Sequence, residues 1–439
     1  MPAVGRPALA LLAVAVCAGL AADVRADAPE TLAPFAGREV TLVVFVGHQS
    51  TRDDVIRREV ETRVGEPLSP ESVAADVQRL DNLQIFAQIT VSAEPDGEGV
   101  RLSFRFKEMP AWIPWLGFSY TEQDGFSAGP KFSALNLGGR AISLGARAYF
   151  GGAKQYSARL TWPWILPHDH TTLDFYGARL KRTDTLNEFK ETSYEFTPEL
   201  SRYLGRHGRL EAKFSLFRMH SDVDGKTLDP DNKDTLPRVG ASIGWDTRDS
   251  WRLPRHGWQN ELELWYTGGD GDSWSMNLDL RRWLSITDRQ RLLLSSLTSL
   301  QSGTVGVDVP EYLLYRMGGA NSIRGYSIDD LGRTLYGKNQ LIGTLEYSLN
   351  LIGVRRFDFW RFAVSMGLDL TVFADAGIAW SEPEDLALRR ARGGLGAGIR
   401  LLVPGSEMVR FDVGWSPEGG FHFHFASGSK PVAQRQRIR

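Results

Sequence analysis

Two short motifs have the residue types of catalytic or phosphate-binding sites. Gly240-Ala-Ser242-Ile-Gly244 has the spacing of a serine nucleophile motif, but that motif works only at a sharp turn from a strand into a helix. Strand-like residues and then a turn follow it here. The glycines at 394, 396 and 398 open no helix and precede no Lys-Ser/Thr pair, so they favour close strand packing over phosphate binding. We therefore predict that the protein is not an enzyme and uses no cofactor.

Two histidine pairs and a group of aspartates have the residue types of metal ligands. His422 and His424 share one face of a predicted strand, and His168 and His170 flank an aspartate. Each pair offers two ligands without an evident third. Five aspartates between 222 and 234 miss the spacing of a calcium-binding loop, so they are expected in a solvated external loop. No metal site is predicted.

The composition describes a folded protein that does not bind nucleic acid. Among 439 residues, 51 Lys+Arg balance 53 Asp+Glu and give a formal net charge of −2. Nucleic-acid-binding domains carry a basic surface instead. With 42% hydrophobic and 11% aromatic residues the chain has ample material for burial, which excludes intrinsic disorder.

Residues 1–26 have the features of a secretory signal peptide. Arg6 precedes a long apolar run, and Val24-Arg25-Ala26 offers a small-residue cleavage site, so we predict export and cleavage after Ala26. Cys17 is the one cysteine of the chain and lies inside this segment. The mature protein is therefore expected to have neither a disulfide nor a reactive thiol.

A small α+β domain is predicted over residues 40–108, after a linker over 27–39. A strand-like VTLVVFV segment is followed by a predicted helix that starts at Ser50 and ends at Gly65. Ser69 begins a second helix, with proline in its first turn. Two strands then follow around a turn at Gly97, which gives the order β-α-α-β-β.

Residues 112–427 have the pattern of a β-barrel. No later window has the roughly 18 uninterrupted apolar residues of a membrane-spanning helix. About sixteen segments alternate apolar and polar positions, as transmembrane barrels do, and Gln259, Glu261 and Glu263 share one face of such a segment. A soluble sandwich can alternate in the same way. Short connections, however, alternate with connections that are often long and polar, which favours an outer-membrane barrel with an even number of strands.

These patterns resemble a known family. The N-terminal pattern VGHQST...VIRREV...GEPLSPESVAADVQRL...IFAQITV resembles a polypeptide-transport-associated (POTRA) domain. The rest resembles the 16-stranded barrel of the bacterial surface antigen superfamily, whose members are BamA-like and TamA-like outer-membrane proteins. The matching elements are the turns at Asn136 and Asp246, the GGANSIRGY stretch and FADAGIAW. The resemblance implies a mostly β protein: one POTRA domain followed by an antiparallel barrel.

The most specific match is the lid motif Ile323, Arg324, Gly325 and Tyr326, inside a loop from Gly303 to Lys338. A loop of this length can fold back into the barrel lumen, where an unpaired guanidinium is costly unless acids hold it. The resemblance assigns those acids to Glu346 and Asp375. We therefore expect Arg324 to bridge to one or both of them and to pin the loop as an internal lid.

The C-terminal strand carries a second signature. Glu418, Gly420, Phe423 and Phe425 fit the pattern of a final strand that the barrel-assembly machinery reads. We expect this strand to close the barrel against the first one. A basic tail over 428–439 continues past the last aromatic residue, which departs from the commonest pattern.

The resemblance implies a role in handling polypeptides at the outer membrane of a Gram-negative bacterium. The POTRA domain would receive an unfolded client. The barrel, or the seam between its first and last strands, would pass the client into or across the membrane. A dedicated secretion transporter for one exoprotein and a passive pore or structural barrel remain alternatives. Expected partners are unfolded outer-membrane or secreted polypeptides, outer-membrane lipids, and periplasmic chaperones or accessory proteins. The POTRA domain and the C-terminus are expected in the periplasm.

Overall fold

The structure is a computed structural model of the chain. It describes residues 30–121, 124–166, 170–185, 187–250, 254–328, 330, 335–359, 362–402 and 408–427. The predicted signal peptide over 1–26 and the basic tail over 428–439 lie outside these residues. Within them, no helix is both long enough and apolar enough to cross a membrane.

The N-terminal domain is a three-stranded sheet covered by two helices. Its elements are a 3-10 helix Glu30–Phe35, β1 Val40–Val46, α1 Asp53–Arg57, α2 Pro70–Asn82, β2 Phe86–Asp96 and β3 Gly99–Glu108. The strand order is β1-β3-β2, with β3 parallel to β1 and antiparallel to β2. Val55 and Ile56 of α1, Val73 and Leu80 of α2, and Phe104 of β3 are buried in one core.

The first helix is shorter than the sequence predicts. It ends at Arg57, whereas the apolar spacing predicted a helix that continues to Gly65. The reason is a tertiary contact: the buried carboxylate of Asp76 in α2 accepts hydrogen bonds from the backbone N–H groups of Glu61 and Thr62 at 2.9 and 3.1 Å. A side chain that satisfies these donors favours a non-helical path for the segment. The second helix matches its prediction, since the hydroxyl of Ser69 caps it by accepting from Ser72 N–H.

The remaining strands form one antiparallel sheet of 16 strands in sequence order, as predicted. β15 and β16 form a separate sheet of two strands. The strands are β4 Trp112–Thr121, β5 Gly125–Leu137, β6 Ile142–Gly151, β7 Lys154–Trp162, β8 Thr171–Asp184, β9 Phe189–Leu204, β10 Gly208–Ser221, β11 Lys233–Asp246, β12 Gly257–Thr267, β13 Ser273–Thr287, β14 Gln290–Gln301, β15 Tyr315–Arg316, β16 Tyr336–Gly337, β17 Asn339–Phe359, β18 Phe362–Trp380, β19 Arg392–Leu402, β20 Val409–Ser416 and β21 Gly420–Ser427. Short 3-10 helices span Glu311–Leu313, Pro383–Asp385 and Leu388–Arg390.

The two faces of the sheet differ in polarity. On β12, Glu263 is fully buried, whereas its neighbour Leu264 is 46% exposed. Leu200 and Phe214 on other strands are exposed in the same way. Because successive side chains of a strand point to opposite faces, one face is polar and enclosed while the other is apolar and outward. This is the polarity of a membrane barrel rather than of a sandwich.

The terminal strands β4 and β21 lie side by side, with Cα atoms within 8 Å. The expected closing ladder between them is not formed among the residues described, where the sheet begins at β4 and ends at β21. The outward edge is apolar, since Trp115 on β4 and Phe423 on β21 are 49% and 76% exposed. We call this boundary the seam.

The N-terminal domain contacts three turns at the same end of the barrel. At the β5–β6 turn, Arg52 N–H donates to the carbonyl of Gly139 at 3.0 Å, and the Asn136 amide donates to the Thr51 hydroxyl at 2.7 Å. Gly139 has a φ of +72°, and a Cβ there would overlap the carbonyl of Ser50. Glycine is therefore required at position 139 for two reasons: the positive φ of the turn and the close approach of the N-terminal domain.

A stacked column joins the domain to the next two turns. The Arg58 guanidinium lies 4.7 Å over the Trp164 ring, Trp164 stacks on His170 at 4.3 Å, and His170 stacks on Tyr203 at 4.0 Å. Burial, with the positive charges of Arg58 and Arg209, lowers the pKa of His170 to about 4. An ion pair between Arg206 and Glu61 continues the contact. These contacts hold the domain against the turns between β5 and β10, at one end of the barrel.

Candidate functional site

The long loop between β14 and β17 enters the lumen and is largely buried there. We call its residues Ile323 to Tyr326 the lid segment. Ile323 and Arg324 are completely buried, and Tyr326 is 2% exposed. Their apolar side chains pack against the barrel wall in a cluster with Leu297, Met317, Leu335, Ile342 and Ala379.

Arg324 occupies the centre of this site. Its Nε and Nη2 donate to the two carboxylate oxygens of Asp375 at 2.8 and 2.9 Å, and its backbone N–H reaches the same carboxylate at 3.1 Å. Its Nη1 donates to Glu346 at 2.9 Å. The structure thus brings together the arginine and both acids named from sequence. A bidentate pair of this kind is both strong and geometrically specific.

The longest strands of the barrel carry these acids. β17 has 21 residues and β18 has 19. Their register places Thr344 opposite Asp375, and the Thr344 hydroxyl donates to that carboxylate at 2.8 Å. This bond from the barrel wall helps to orient the carboxylate that Arg324 contacts. The ring of Phe373 lies beneath the guanidinium, 3.3 Å from its carbon to the ring centroid.

Three further charged residues complete the cluster, and the sequence motif did not reveal them. Asp412 on β20 lies 3.5 Å from Arg324 Nη1. Arg400 on β19 donates to Glu346 at 2.9 Å and also pairs with Asp412. Arg410 on β20 donates to the side-chain oxygen of Asn321 at 2.5 Å, two residues before the lid segment. Three arginines and three acids therefore share a buried site with a formal charge of zero.

Glycines make the close approach of the lid possible. A Cβ at Gly414 would overlap the carbonyl of Arg324, and one at Gly394 would lie 2.7 Å from the Cα of Gly325. A Cβ at Gly325 would in turn lie 2.8 Å from the carbonyl of Trp415. Gly394 belongs to the spaced glycines 394, 396 and 398, which lie in β19 and serve backbone packing here.

A second anchor holds the opposite side of the long loop. Arg316 pairs through both terminal nitrogens with the buried carboxylate of Asp184 at the end of β8, with one distance of 2.9 Å. The Tyr312 hydroxyl donates to Asp234 at 2.6 Å, and the Tyr315 hydroxyl donates to Asn277 at 3.1 Å. The loop therefore bridges the lumen from the β8 to β13 wall to the β17 to β21 wall. The only sequence signal for this anchor was the length of the loop.

The residues that the sequence offered as nucleophile or metal ligands make structural contacts instead. Ser242 lies within β11, where its hydroxyl donates to Glu211 at 2.7 Å. His170 is part of the stacked column, whereas His168 lies outside the described residues. Asp234 was expected in a solvated loop, but it is completely buried at the start of β11, where it accepts from the backbone N–H groups of Leu228 and Asp229. Within the described part of the chain, no group of three or more His, Cys, Asp or Glu side chains could hold a metal ion.

The predicted C-terminal signature is distributed around the last hairpin. Glu418 pairs with Arg392 at 2.7 Å in the turn, and Gly420 begins β21 with a φ of +73°. Phe423 points outward, and the Phe425 ring lies 5.0 Å from the Phe411 ring. These positions are compatible with an outward apolar face. Recognition of this strand by assembly machinery stays a prediction.

Comparisons with known proteins agree with this architecture. Residues 136–430 match the Omp85 superfamily domain, and residues 39–109 match the POTRA family described as a surface antigen variable number repeat. The chain belongs to the Omp85 superfamily. It is an outer-membrane protein with one POTRA domain in the part described here.

The relatives found by sequence are BamA proteins. The chain is 22% identical to the outer membrane protein assembly factor BamA of Nitratidesulfovibrio vulgaris, over 77% of this chain and 44% of that protein. It is 24% identical to BamA of Neisseria meningitidis, over 92% and 56%. The chain thus spans about half the length of these relatives.

Solved structures show the shared fold. The crystal structure of BamA from Haemophilus ducreyi lacking POTRA domains 1-3 has a TM-score of 0.58 at 16% identity, with 88% of this chain and 84% of that chain covered. CdiB from Escherichia coli has a TM-score of 0.56 at 14% identity, with 92% and 78% covered.

Proposed function

We propose that this Omp85 protein assembles or translocates other polypeptides at the outer membrane. Its POTRA domain would receive an unfolded outer-membrane or secreted client, and the barrel or its seam would pass the client into or across the membrane. The role needs no catalysis, so the protein is proposed not to be an enzyme.

The observation that carries this proposal is the combination of a docked POTRA domain with a long loop that is anchored at two points inside the lumen. A passive pore needs an open lumen, whereas Arg324 and Arg316 hold the long loop across this one. The seam offers a route that does not cross the lumen. Within the described residues β2 is an edge strand of the N-terminal sheet, and an extended client segment could add to it as a further strand.

The same contacts support a proposed orientation of the protein in the membrane. Outer-membrane barrels have short periplasmic turns and longer external loops. The POTRA domain contacts the short turns after β5, β7 and β9, so we place it in the periplasm. An even number of strands returns the chain to the side where it started, which places the end of β21 there too. Periplasmic chaperones or accessory proteins could therefore reach both, and outer-membrane lipids would surround the apolar outer face.

Folding of an unfolded outer-membrane protein into liposomes tests the proposal. The refolded mature chain is compared with empty liposomes, with Arg324→Ala, and with Arg147→Ala as a matched lumen arginine on β6. The proposal predicts faster client folding with the wild type and with Arg147→Ala, and a loss of that acceleration with Arg324→Ala.

The alternatives predict other outcomes. No acceleration by a correctly folded barrel would contradict general insertion and favour a dedicated secretion transporter or a pore. Loss of a single surface protein in a deletion strain, with normal outer-membrane protein content, would indicate the transporter. High steady ion conductance of the wild-type chain would indicate the pore.

A further inference from the structure

The lid segment is hydrogen-bonded to β21, one of the two strands at the seam. This contact is separate from the ion pairs that hold the Arg324 guanidinium. The His424 Nε2 of β21 donates to the carbonyl of Arg324 at 2.8 Å. The Ser416 hydroxyl of β20 donates to the carbonyl of Gly325 at 2.6 Å and accepts from Gly419 N–H at 2.9 Å. The guanidinium and the backbone of one residue therefore contact different parts of the barrel.

This contact is buried and sterically close. His424 is 4% exposed and Ser416 is 1% exposed. A Cβ at Gly419 would lie 2.6 Å from the carbonyl of Gly325. A buried carbonyl that loses its donor keeps the full cost of its lost hydration, so the lid and this hairpin stabilise each other.

β21 meets the long loop at a second point. The His422 Nε2 lies 2.8 Å from the carboxylate of Asp330 and 2.7 Å from the carbonyl of Gly419. Among the described residues, β21 has a ladder with β20 on one side and none on the other. A terminal strand with one ladder depends strongly on such additional contacts.

We infer that His424 is a positioning residue that couples the lid to the seam: β21 leaves its place only when the lid segment releases it. The inference rests on the proposed function in assigning a use to the seam. The coupling itself is a property of the barrel and can be measured without a client.

Hydrogen exchange of the full mature chain in lipid nanodiscs tests this coupling. His424→Ala removes the donor but leaves the ion pairs of Arg324 intact. We expect amide exchange in 420–427 to become about tenfold faster or more, while exchange in β17 and β18 stays at the wild-type rate. His424→Gln, which keeps a side-chain N–H donor, should restore part of the protection.

The matched control is His220→Ala. His220 makes the same kind of bond, from its ring nitrogen to the carbonyl of Asn232 at 3.1 Å, at an exposed position far along the chain. It should leave exchange in 420–427 unchanged. If His424→Ala does not refold, Ser416→Ala removes the second donor to the lid and should raise exchange in the same segment.

Two results would overturn the inference. One is wild-type exchange in 420–427 for both His424→Ala and Ser416→Ala. The other is an equal rise in all strands, which would indicate general destabilisation. Failure of the proposed function would instead appear as absent client folding with normal coupling, so the two can be distinguished.

Discussion

A single side chain, Arg324, links three strands of the barrel wall through Glu346, Asp375 and Asp412. Buried ion pairs seldom add net stability over apolar packing, but breaking one by removing a partner leaves an uncompensated charge. We therefore infer that the cluster serves to place the lid in one position, and not to add net stability. The neutral sum of its six charges is consistent with that use.

Removal of the guanidinium should destabilise the barrel. We expect Arg324→Ala to lower the free energy of unfolding by about 3 to 5 kcal/mol, since Asp375 stays buried without its cation. Urea unfolding in liposomes measures this. The double variant Arg324→Ala/Asp375→Asn should recover part of the loss, because the remaining group is neutral. Equal stability of wild type and Arg324→Ala would contradict the placement.

Arg316 should have a comparable effect at the other anchor. Arg316→Ala leaves the carboxylate of Asp184 without its ion pair, and we expect a loss of about 3 kcal/mol. The long loop should then be cut faster by protease added outside the liposomes. Lys233→Ala is the control, because its exposed pair with Asp231 should contribute at most about 0.5 kcal/mol. Similar protease resistance of all three proteins would refute the second anchor.

At the scale of elements, β19 and β20 form the surface on which the lid rests. Gly394 and Gly414 leave room for the backbone of the lid segment, and the charged residues Arg400 and Asp412 lie on the same lumen face of these strands. A strand that carries both a small residue and a charge on one face can bring a loop backbone close while pairing its side chain.

One added methyl group should displace the lid. We expect Gly414→Ala to lower stability by about 1 to 3 kcal/mol, because the methyl group would occupy the place of the Arg324 carbonyl. Gly145→Ala is the matched control: this lumen-facing glycine of β6 has nothing within 4 Å of an added Cβ. Unfolding of both variants in urea should separate them. Equal stabilities would show that the lid does not need this close approach.

At the scale of the whole molecule, the POTRA domain has a defined seat on the barrel. The stacked column of Arg58, Trp164, His170 and Tyr203 and the contacts at the β5–β6 turn occur on different turns, so together they restrict rotation of the domain. Burial also raises the pKa of the Glu59 carboxyl beside this column. The docked state therefore carries groups that respond to acid.

Acid should weaken this seat through His170. Its pKa is about 4 in the folded chain and about 6.5 when unfolded, so the unfolded state binds more protons between these values. Stability is full above pH 6.5 and should fall by at most about 3 kcal/mol as the pH drops towards 4. Urea unfolding across this range measures the loss. His170→Phe should remove this pH dependence while keeping the stack, and an unchanged profile in that variant would exclude His170 as its source.

Much of the architecture was determined by the sequence alone. The side-chain period of two and the alternating loop lengths are local properties, and they indicated the 16 strands and the polar inner face. The lid motif and two of its acids were named because their residue types and positions resemble a family. Capping by Ser69 is likewise local, and the second helix was predicted accordingly.

Other features depended on the tertiary structure, because they join residues that are distant in sequence. Strand register decided that Asp412, Arg400 and His424 meet the lid, and loop folding decided that Arg316 reaches Asp184, 132 positions away. The early end of α1 depends on Asp76, which lies in another helix. Periodicity reports only which face a residue occupies, whereas the partner of a buried charge depends on which strands and loops meet in three dimensions.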